Sequence, residues 1–357
     1  MLNRLDAYRL RLPLTTPYHL AFGDVEAFDT ILVVATDQQG REGYGDATVL
    51  TGYTDETIEG SWPLAQQLAR RPVGGTLASA KAEALALAAQ APFLATAFAS
   101  AVEMLEGAPL LRIERDSAVP VLGTINDTEP AAMRAQIDRL CAAGYRTLKI
   151  KVGSATPDED AKRVTAALAH VAGRARLRVD ANQGYTPEQA IAFANTVPVD
   201  GIELFEQPCA AGDWVAHMAV VRECPLPLML DESIYDENDI DETASRRAAR
   251  FVKVKLMKFA TLERLAAAIE RIRAHGLQPV LGNGVASDVG CWMEACVAAR
   301  HITNAGEMNG WLKMTRPIFT EPMRVEAGAI RLPAGWQPTL DRAAIAAATT
   351  GETSARA

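Results

Sequence analysis

The sequence contains few cysteines and no cysteine pair of the kind that binds zinc. Five cysteines occur among 357 residues, and no two of them form a CxxC pair. A disulfide framework uses an even set of cysteines, and structural zinc sites use closely spaced pairs. We therefore expect reduced thiols and a cytoplasmic protein, without disulfides or zinc. The five are Cys141, Cys209, Cys224, Cys291 and Cys296.

Long apolar runs and an excess of positive charge are also absent. No run of 18 apolar residues occurs, and the N-terminal MLNRLDAYRLRL alternates polar and apolar residues, unlike a signal peptide. Lys plus Arg number 36 and Asp plus Glu number 44, so the net charge is −8. An acidic chain is poorly suited to nucleic acid or an anionic membrane. We expect neither partner, and a small acidic substrate would need a locally positive site.

Hydrophobic residues make up 49% of the chain, which is enough for a substantial core. Residues 1–118 combine strand-like alternation, as in Ile31–Ala35, with an alanine-rich helical stretch, and predict an α+β region. Strand-like pieces return in about residues 318–345. Residues 346–357 are weakly patterned, and we expect them to form a loose C-terminal tail.

The middle of the chain, residues 119–317, alternates short apolar runs with amphipathic helical segments. One such pair occurs about every 25–30 residues, the size of a βα unit. Candidate strands begin at Val119, Thr147, Leu177, Ile202, Leu226, Phe251 and Pro279, with a short piece before Glu307. About eight units in some 200 residues predict the α/β class and a (β/α)8 TIM-like barrel. A doubly wound sheet is the alternative, but it favours a glycine fingerprint after its first strand, which is missing.

Three of these strands end in a carboxylate. Asp180, Glu206 and Asp231 are separated by 206 − 180 = 26 and 231 − 206 = 25 residues, one structural unit each. Functional groups of a barrel lie at the C-terminal ends of its strands, so the three carboxylates should converge. Clustered anions need a cation, and an all-oxygen ligand set suits Mg²⁺, with Mn²⁺ as a possible substitute. A helix cap or a rim salt bridge would explain any one of them alone.

Lysines flank the predicted metal site on both sides. Lys149 and Lys151 lie two residues apart in the second strand, so both point to one face. Lys253 and Lys255 repeat this spacing in the sixth strand, which lies across an eight-stranded ring from the second. Mutual repulsion makes a lysine usable as a base. The set favours removal of a proton α to a metal-bound carboxylate, with an enediolate stabilised by positive charge.

The segments TLKIKVG, LRVDANQGYT, LFEQP, LMLDESI and VKVKLMK, in this order, resemble the enolase superfamily, in particular its muconate-lactonizing-enzyme subgroup. The resemblance implies a modified barrel in residues 119–317, and an α+β capping domain in 1–118 that about 318–345 complete. It implies one Mg²⁺ per active site, held by Asp180, Glu206 and Asp231, with Asn182 and Glu232 orienting these ligands. Lys151 and Lys255 would be the opposing acid/base groups, with Lys149 tuning Lys151 and helping to hold the substrate carboxylate.

Substrate contacts are less specified by the resemblance. The subgroup usually has Gly-Gly after the sixth strand, where this chain has Lys258-Phe259-Ala260. Dipeptide epimerases commonly have Asp-x-Asp at the eighth strand, where this chain has Glu307-Met308-Asn309. We predict contacts with substrate from two regions of the chain, while the roles of Lys253, Lys258 and Asp288 stay open. These residues are His19 and Tyr53 in the capping loops, and Asn283, Glu307 and Asn309 at the seventh and eighth strands. Asn283 belongs to a polar segment for which a helix start capped by Ser287 is equally suitable.

Histidine chemistry is not indicated. His170, His217, His275 and His301 lie in or near helices, and none follows the sixth or seventh strand as the partner of an aspartate. The sequence therefore does not resemble the mandelate-racemase subgroup. We predict an isomerase that racemises or epimerises an amino-acid derivative, acting on a small carboxylate as a homo-oligomer, either a dimer or an octamer. A dehydratase, a muconate-type cycloisomerase and a non-catalytic binding relative are the alternatives.

Overall fold

The computed structural model describes residues 1–20, 23–50 and 54–357, and the N-terminal part of these forms an antiparallel sheet packed against helices. The strands are β1 (Leu2–Leu20), β2 (Gly23–Asp37) and β3 (Glu42–Thr48), and the helices are α1 (Ile58–Arg70), α2 (Leu77–Leu85) and α3 (Pro92–Leu105). Helix α3 packs directly on β3: a Cβ atom at Gly43 would lie 2.3 Å from Ala101 O. Only glycine permits that approach.

The middle of the chain forms a parallel sheet of seven strands whose order in space follows their order in sequence. After β4 (Ser117–Pro120), the sheet consists of β5 (Gly123–Ile125), β6 (Thr147–Lys151), β7 (Arg176–Asp180), β8 (Ile202–Glu206), β9 (Leu228–Leu230), β10 (Phe251–Val254) and β11 (Gln278–Leu281). The intervening helices are α4 (Pro130–Ala142), α5 (Pro157–Val171), α6 (Pro187–Thr196), α7 (Trp214–Glu223), α8 (Glu237–Arg246), α9 (Leu256–Phe259), α10 (Leu262–Ala274) and α11 (Asp288–His301). The predicted barrel architecture with a separate capping sheet is confirmed.

The ring closes without an eighth regular strand. Gly306 makes an isolated parallel bridge with Val121, and Leu122 N donates to Gly306 O at 2.9 Å. On the other side, Glu307 N donates to Leu281 O at 3.0 Å, which joins this segment to β11. The closure places β6 and β10 on opposite sides of the ring, as the lysine spacing requires.

The helix starts show why the sequence pattern was readable here. Thr156 and Thr186 accept hydrogen bonds from the backbone three residues later, and each forms a complete capping box. Pro157 and Pro187 follow as the first helical residues, where no amide donor is needed. Ser287 caps α11 through Val289 N, so the helix-start interpretation of that segment is confirmed.

Two predicted boundaries are wrong. The run from Val119 is the first barrel strand only in part, because Val119 belongs to β4, which pairs antiparallel with β13 (Ala329–Leu332), and the regular barrel strand β5 begins at Gly123. Strands β12 (Arg324–Glu326) and β13 therefore extend β4 and do not complete the capping sheet. A short apolar run looks the same in a parallel or an antiparallel sheet, so the sequence pattern alone could not distinguish the two kinds of pairing.

The predicted loose tail is also wrong. Residues Arg342–Ala348 form α12, and Thr349–Arg356 form β14, which pairs antiparallel with β1 and completes the capping sheet. Side chains in β14 alternate between half-buried and exposed, so the strand lacks the apolar alternation that identifies strands in sequence. Its formation depends on pairing with a segment more than 330 residues away, which no local pattern reports.

A buried arginine closes the lower part of the barrel beneath the strand ends. The Arg178 side chain is fully buried and donates to both oxygens of Glu203 at 3.0 Å, and to Ala305 O at 2.7 Å. Leu204, Met229 and Val280 form a small apolar cluster of their own among the barrel strands. Arg178 and Asp180 lie two residues apart in β7 and share a face, so the polar site lies directly above this layer.

Among the residues that the structure describes, none of the helices is both long enough and apolar enough to cross a membrane.

Candidate active site

Three carboxylates lie together at the C-terminal ends of adjacent strands. Asp180 and Glu206 are the last residues of β7 and β8 and are register partners, and Asp231 directly follows β9. Their exposed fractions are 0%, 1% and 3%. Buried carboxylates at this density require positive charge nearby, because desolvation and mutual repulsion both disfavour their ionised forms.

Two buried lysines supply part of that charge. Lys149 Nζ lies 2.9 Å from Asp180 Oδ2 and 3.0 Å from Glu206 Oε2. Lys253 Nζ donates to Glu206 Oε1 at 2.8 Å and lies 3.3 Å from Asp231 Oδ2. Each ammonium group therefore bridges two neighbouring carboxylates, and Glu206 contacts both lysines. Sequence analysis left Lys253 without a role, and the structure places it inside the acidic cluster.

The charges around Glu206 oppose one another. Burial raises the pKa of Glu206, and the neighbouring Asp180 raises it further, whereas Lys149 and Lys253 lower it. Burial lowers the pKa of Lys253, but Glu206 and Glu307 outweigh that effect and raise it. Lys253 therefore stays protonated, which makes it an electrostatic group and unsuitable as a base near neutral pH.

Asp231 is surrounded by lysines. Lys255 Nζ lies 2.8 Å from Asp231 Oδ1, and Lys258 Nζ donates to the Asp231 carbonyl oxygen at 2.6 Å. Burial acts to raise the pKa of Asp231, but Lys255, Lys253 and Lys258 together hold it well below its ordinary value. Burial lowers the pKa of Lys258 to about 8, and Lys255 adds to that effect. Lys258 also lies 4.7 Å from the centre of the Tyr235 ring.

Lys151 and Lys255 occupy opposed positions around these carboxylates. Lys151 is the half-exposed last residue of β6, where its register partner is Asp180. Lys255 follows β10 and is 6% exposed. Because β6 and β10 lie across the ring from one another, the two side chains approach the strand ends from opposite sides.

Asn182 and Glu232 connect the loops that follow β7 and β9. Asn182 Nδ2 donates to Glu232 Oε1 at 3.0 Å, and Asn182 N donates to Asp180 Oδ1 at 3.0 Å. Burial, Asp231 and Asp180 raise the pKa of Glu232 to about 7. These contacts support the predicted orienting role, since they restrict the carboxylate of Asp180.

Gln207 is a site residue that sequence analysis missed. Its Oε1 accepts from Asp231 N at 2.9 Å and from Ser233 N at 3.2 Å, while its Nε2 donates to Ser233 Oγ at 2.8 Å. His217 Nε2 lies 3.1 Å from Ser233 Oγ, and burial lowers the pKa of His217 to about 4. The neutral imidazole thus supports the segment that carries Asp231. The position of Gln207 directly after Glu206 was the available signal.

The carboxylates have the chemistry of a hard cation site. Glu232 Oε2 is buried without a hydrogen-bond donor, and Asp180 Oδ2 and Glu206 Oε2 are buried with the Lys149 ammonium beside them, at 2.9 and 3.0 Å. Such oxygens are costly to bury unless a cation satisfies them. Among the residues that the structure describes, no three acidic, histidine or cysteine side chains lie close enough together to hold one metal ion. Lys149 and Lys253 lie between the carboxylates. The donor set fits Mg²⁺ in charge and hardness.

The predicted substrate contacts at the seventh and eighth segments have other partners. Glu307 accepts from Lys149 Nζ at 2.9 Å and from Lys253 Nζ, and its exposed fraction is 4%. Asn283 Nδ2 donates to Met257 Sδ, and Asn309 Nδ2 donates to Leu122 O. Glu307 therefore neutralises the two central lysines, and its contact with substrate stays a prediction. The sequence could not reveal this, because the ring closure determines which strand ends meet.

Asp288 and the capping-loop residues complete the predicted set. Asp288 Oδ2 accepts from Ile318 N and Phe319 N, both at 2.9 Å, so it anchors the segment that leaves the barrel. Burial raises the pKa of Asp288 to about 7. The side chain of His19 and all of Tyr53 lie outside the described residues. Their roles at the substrate stay predictions.

Replacing Glu307 with glutamine is expected to destabilise the protein by about 3–5 kcal/mol at neutral pH, because Lys149 and Lys253 lose a buried counter-charge. Burial acts to raise the pKa of Glu307, but Lys149 and Lys253 outweigh that effect and hold the pKa below its ordinary value in the folded state. Its contribution is therefore present above the unfolded pKa, and should be lost as pH falls below about 4. Urea unfolding of the wild-type protein and of Glu307→Gln, at neutral pH and below about pH 4, measures this difference in stability. The exposed Glu321→Gln variant is the control. Equal stability of the wild-type protein, Glu307→Gln and Glu321→Gln at neutral pH would contradict the prediction.

Comparison with known proteins shows that the chain is similar to several enzymes. The family model for enolase C-terminal domain-like proteins matches residues 132–338. The L-Ala-D/L-Glu epimerase of Bacillus subtilis (strain 168) is 26% identical over 351 residues, which cover 92% of this chain and 94% of the epimerase. Muconate cycloisomerase 1 of Pseudomonas putida is 26% identical over 359 residues, with 93% of this chain and 94% of the relative covered.

The fold comparison agrees with these relatives. The crystal structure of a dipeptide epimerase from Cytophaga hutchinsonii, complexed with Mg and the dipeptide D-Ala-L-Val, superposes with a TM-score of 0.89. It is 19% identical and covers 99% of both chains. At this identity the likeness concerns the fold, including the capping sheet and the ring.

Proposed function

The chain belongs to the enolase C-terminal domain-like family of the enolase superfamily, and we propose that it removes the proton α to a carboxylate in a small substrate. The proposal rests mainly on one observation. Three carboxylates end adjacent strands, and lysines approach them from the two opposite sides of the ring. Epimerases and a cycloisomerase, all isomerases, are among its relatives of similar length.

The two lysines define the stereochemistry of the proposed reaction. A proton that leaves one face of the α-carbon would go to Lys151, and a proton that leaves the other face would go to Lys255. Return of a proton from the opposite lysine inverts the centre, which is racemisation or epimerisation. The α-carbon protons of carboxylates are weakly acidic, so positive charge must accompany this step.

The central charges meet that requirement. Asp180, Glu206 and Asp231 are the residues that would hold Mg²⁺. When bound, the ion would supply positive charge beside the substrate carboxylate and lower the cost of anion formation. In the structure, Lys149 and Lys253 balance the charge of the same carboxylates. Burial excludes water from these groups, which strengthens each electrostatic contact.

We favour an amino-acid derivative as the substrate and epimerisation as the reaction. The similarity to the L-Ala-D/L-Glu epimerase over nearly the whole chain supports this choice. A cycloisomerase is the second candidate, because muconate cycloisomerase 1 is equally identical over a similar share of both chains. A homo-oligomeric assembly is part of the proposal.

Hydrogen exchange at the α-carbon tests the function directly. The protein, supplied with Mg²⁺, is incubated in D₂O with both enantiomers of N-acylated amino acids and with dipeptides of either configuration. We expect deuterium at the α-carbon, detected by NMR, together with inversion of the centre, detected by chiral chromatography. Lactone formation from a muconate would favour the second candidate. The proposal fails if no carboxylate exchanges its α-proton in either configuration.

A further inference from the structure

A hydrogen-bond network from α5 holds the main chain at the carbonyl group of Lys151 and at the amide two residues later. Arg163 Nη2 donates to the carbonyl oxygen of Lys151 at 2.6 Å, and to Asp160 Oδ1 at 2.7 Å. Asp160 Oδ2 accepts from Gly153 N at 2.8 Å. Residues 151 and 153 are therefore tied to one helix turn by two charged side chains that also contact each other.

The loop after β7 joins this network. The Tyr185 hydroxyl donates to Asp160 Oδ2 at 2.7 Å. Gly153 and Gly184 lie against each other: a Cβ on Gly184 would lie 2.6 Å from Gly153 O, so the two strand-end loops interlock. Burial and the adjacent Asp160 raise the pKa of Tyr185, which keeps its hydroxyl protonated as a donor.

The network is built with complete hydrogen bonding. Asp160 is fully buried, and both of its oxygens accept from the donors described above. A buried carboxylate with this many partners has one well-defined position, because losing any partner leaves a desolvated charge. A simpler helix cap does not explain it, since α5 begins with its own capping box at Thr156. The network instead fixes the end of β6.

We propose that Asp160, Arg163 and Tyr185 are positioning residues for Lys151. They set the direction from which its amine reaches the substrate. This inference rests on the proposed function, in which Lys151 transfers a proton on one face of the α-carbon.

Lys255 is held by different groups. Asp231 contacts its amine, and Glu294 Oε1 accepts from the amide of the next residue, Leu256 N, at 2.8 Å. Disturbing the α5 network should therefore affect one face of the substrate only.

The test compares α-deuterium exchange from the two substrate configurations in Arg163→Met, Asp160→Asn and Tyr185→Phe. We expect exchange on the Lys151 face to fall by about 10–100-fold in Arg163→Met, because misplacement of a catalytic group by about 1 Å has effects of that size. Exchange on the Lys255 face should stay near the wild-type rate. Arg163→Lys, which keeps a donor, should recover part of the loss. Tyr185→Phe removes a single hydrogen bond and remains informative if the charged variants fail to fold.

Glu103→Gln is the matched control. Glu103 is a buried carboxylate that accepts from Leu262 N at 2.7 Å and Glu263 N at 3.0 Å, at the start of α10. Its replacement should change exchange from both configurations equally, as any general loss of stability would. Equal changes on both faces in the Asp160 and Arg163 variants, or no change on either face, would overturn the positioning role.

A second readout does not require turnover. Acetic anhydride labels accessible amines, and mass spectrometry gives the labelling of the half-exposed Lys151 relative to the exposed Lys162 in each variant. We expect this ratio to change in Arg163→Met and Asp160→Asn and to remain constant in Glu103→Gln. If wild-type protein exchanges no α-proton, the proposed function fails by itself. An unchanged labelling ratio would then reject the network as well.

Discussion

Replacing Lys151 with alanine is expected to abolish α-proton exchange from one substrate configuration while leaving exchange from the other. A positioned general base accelerates proton transfer by about 10²–10⁴-fold, so exchange from the affected configuration should fall by a factor of this size or more. The reason is geometric. Lys151 ends β6 and Lys255 follows β10, and closure of the ring through Gly306 places these strands across the carboxylates from each other. Each amine therefore reaches one face of the α-carbon.

Lys255→Ala should give the mirror result, with the other configuration silent. The exposed Lys162 on α5 provides a matched control, since Lys162→Ala removes an amine from the same molecule without touching the site. Exchange is followed by NMR in D₂O with each pure configuration. Loss of exchange from both configurations in either lysine variant would contradict the assignment of one lysine to each face.

Mg²⁺ is expected to raise the thermal stability of the wild-type protein, and substitutions of its ligands should remove that effect. A ligand that binds only the folded state stabilises it by about 2.7 kcal/mol at a concentration of 100 times its Kd. Glu206→Gln and Asp180→Asn keep the size of the side chains but remove one negative charge each. Without that charge, Lys149 and Lys253 face fewer carboxylates and the affinity for a divalent ion falls.

The measurement compares the melting temperature of each protein with EDTA and with Mg²⁺. Because each protein is compared with itself, a change in stability caused by the substitution alone does not affect this difference in melting temperature. Asp200→Asn, at an exposed aspartate, should keep the wild-type response. A ligand variant that responds to Mg²⁺ as strongly as wild type would remove its residue from the proposed metal site.

Much of the barrel could be predicted from the sequence because its information is local. Strands such as Leu228–Leu230 are buried apolar runs, and helices such as Pro157–Val171 combine a capping box with a first-turn proline. These signals repeat at the length of one βα unit. Strand β14 carries no such signal, because its residues are only half-buried and its partner, β1, lies at the other end of the chain.

The candidate site divides along the same line. The spacing of one βα unit predicted that Asp180, Glu206 and Asp231 would lie at one end of the ring. Neighbouring parallel strands bring their ends together regardless of their side-chain conformations. Spacing could not predict the partners of Glu307. That contact with Lys149 and Lys253 depends on how the eighth segment closes the ring and on which way long side chains turn. Asp160 and Arg163 were equally hidden, because they resemble the ordinary charged residues of an exposed helix.

The most direct test is a crystal structure of the protein grown with Mg²⁺ and a non-reacting carboxylate. We expect one ion with side-chain oxygens of Asp180, Glu206 and Asp231 among its ligands, and the carboxylate held between the amines of Lys151 and Lys255. A structure in which saturating Mg²⁺ leaves Lys149 and Lys253 between these carboxylates, or in which the ion binds elsewhere, would contradict the proposed chemistry.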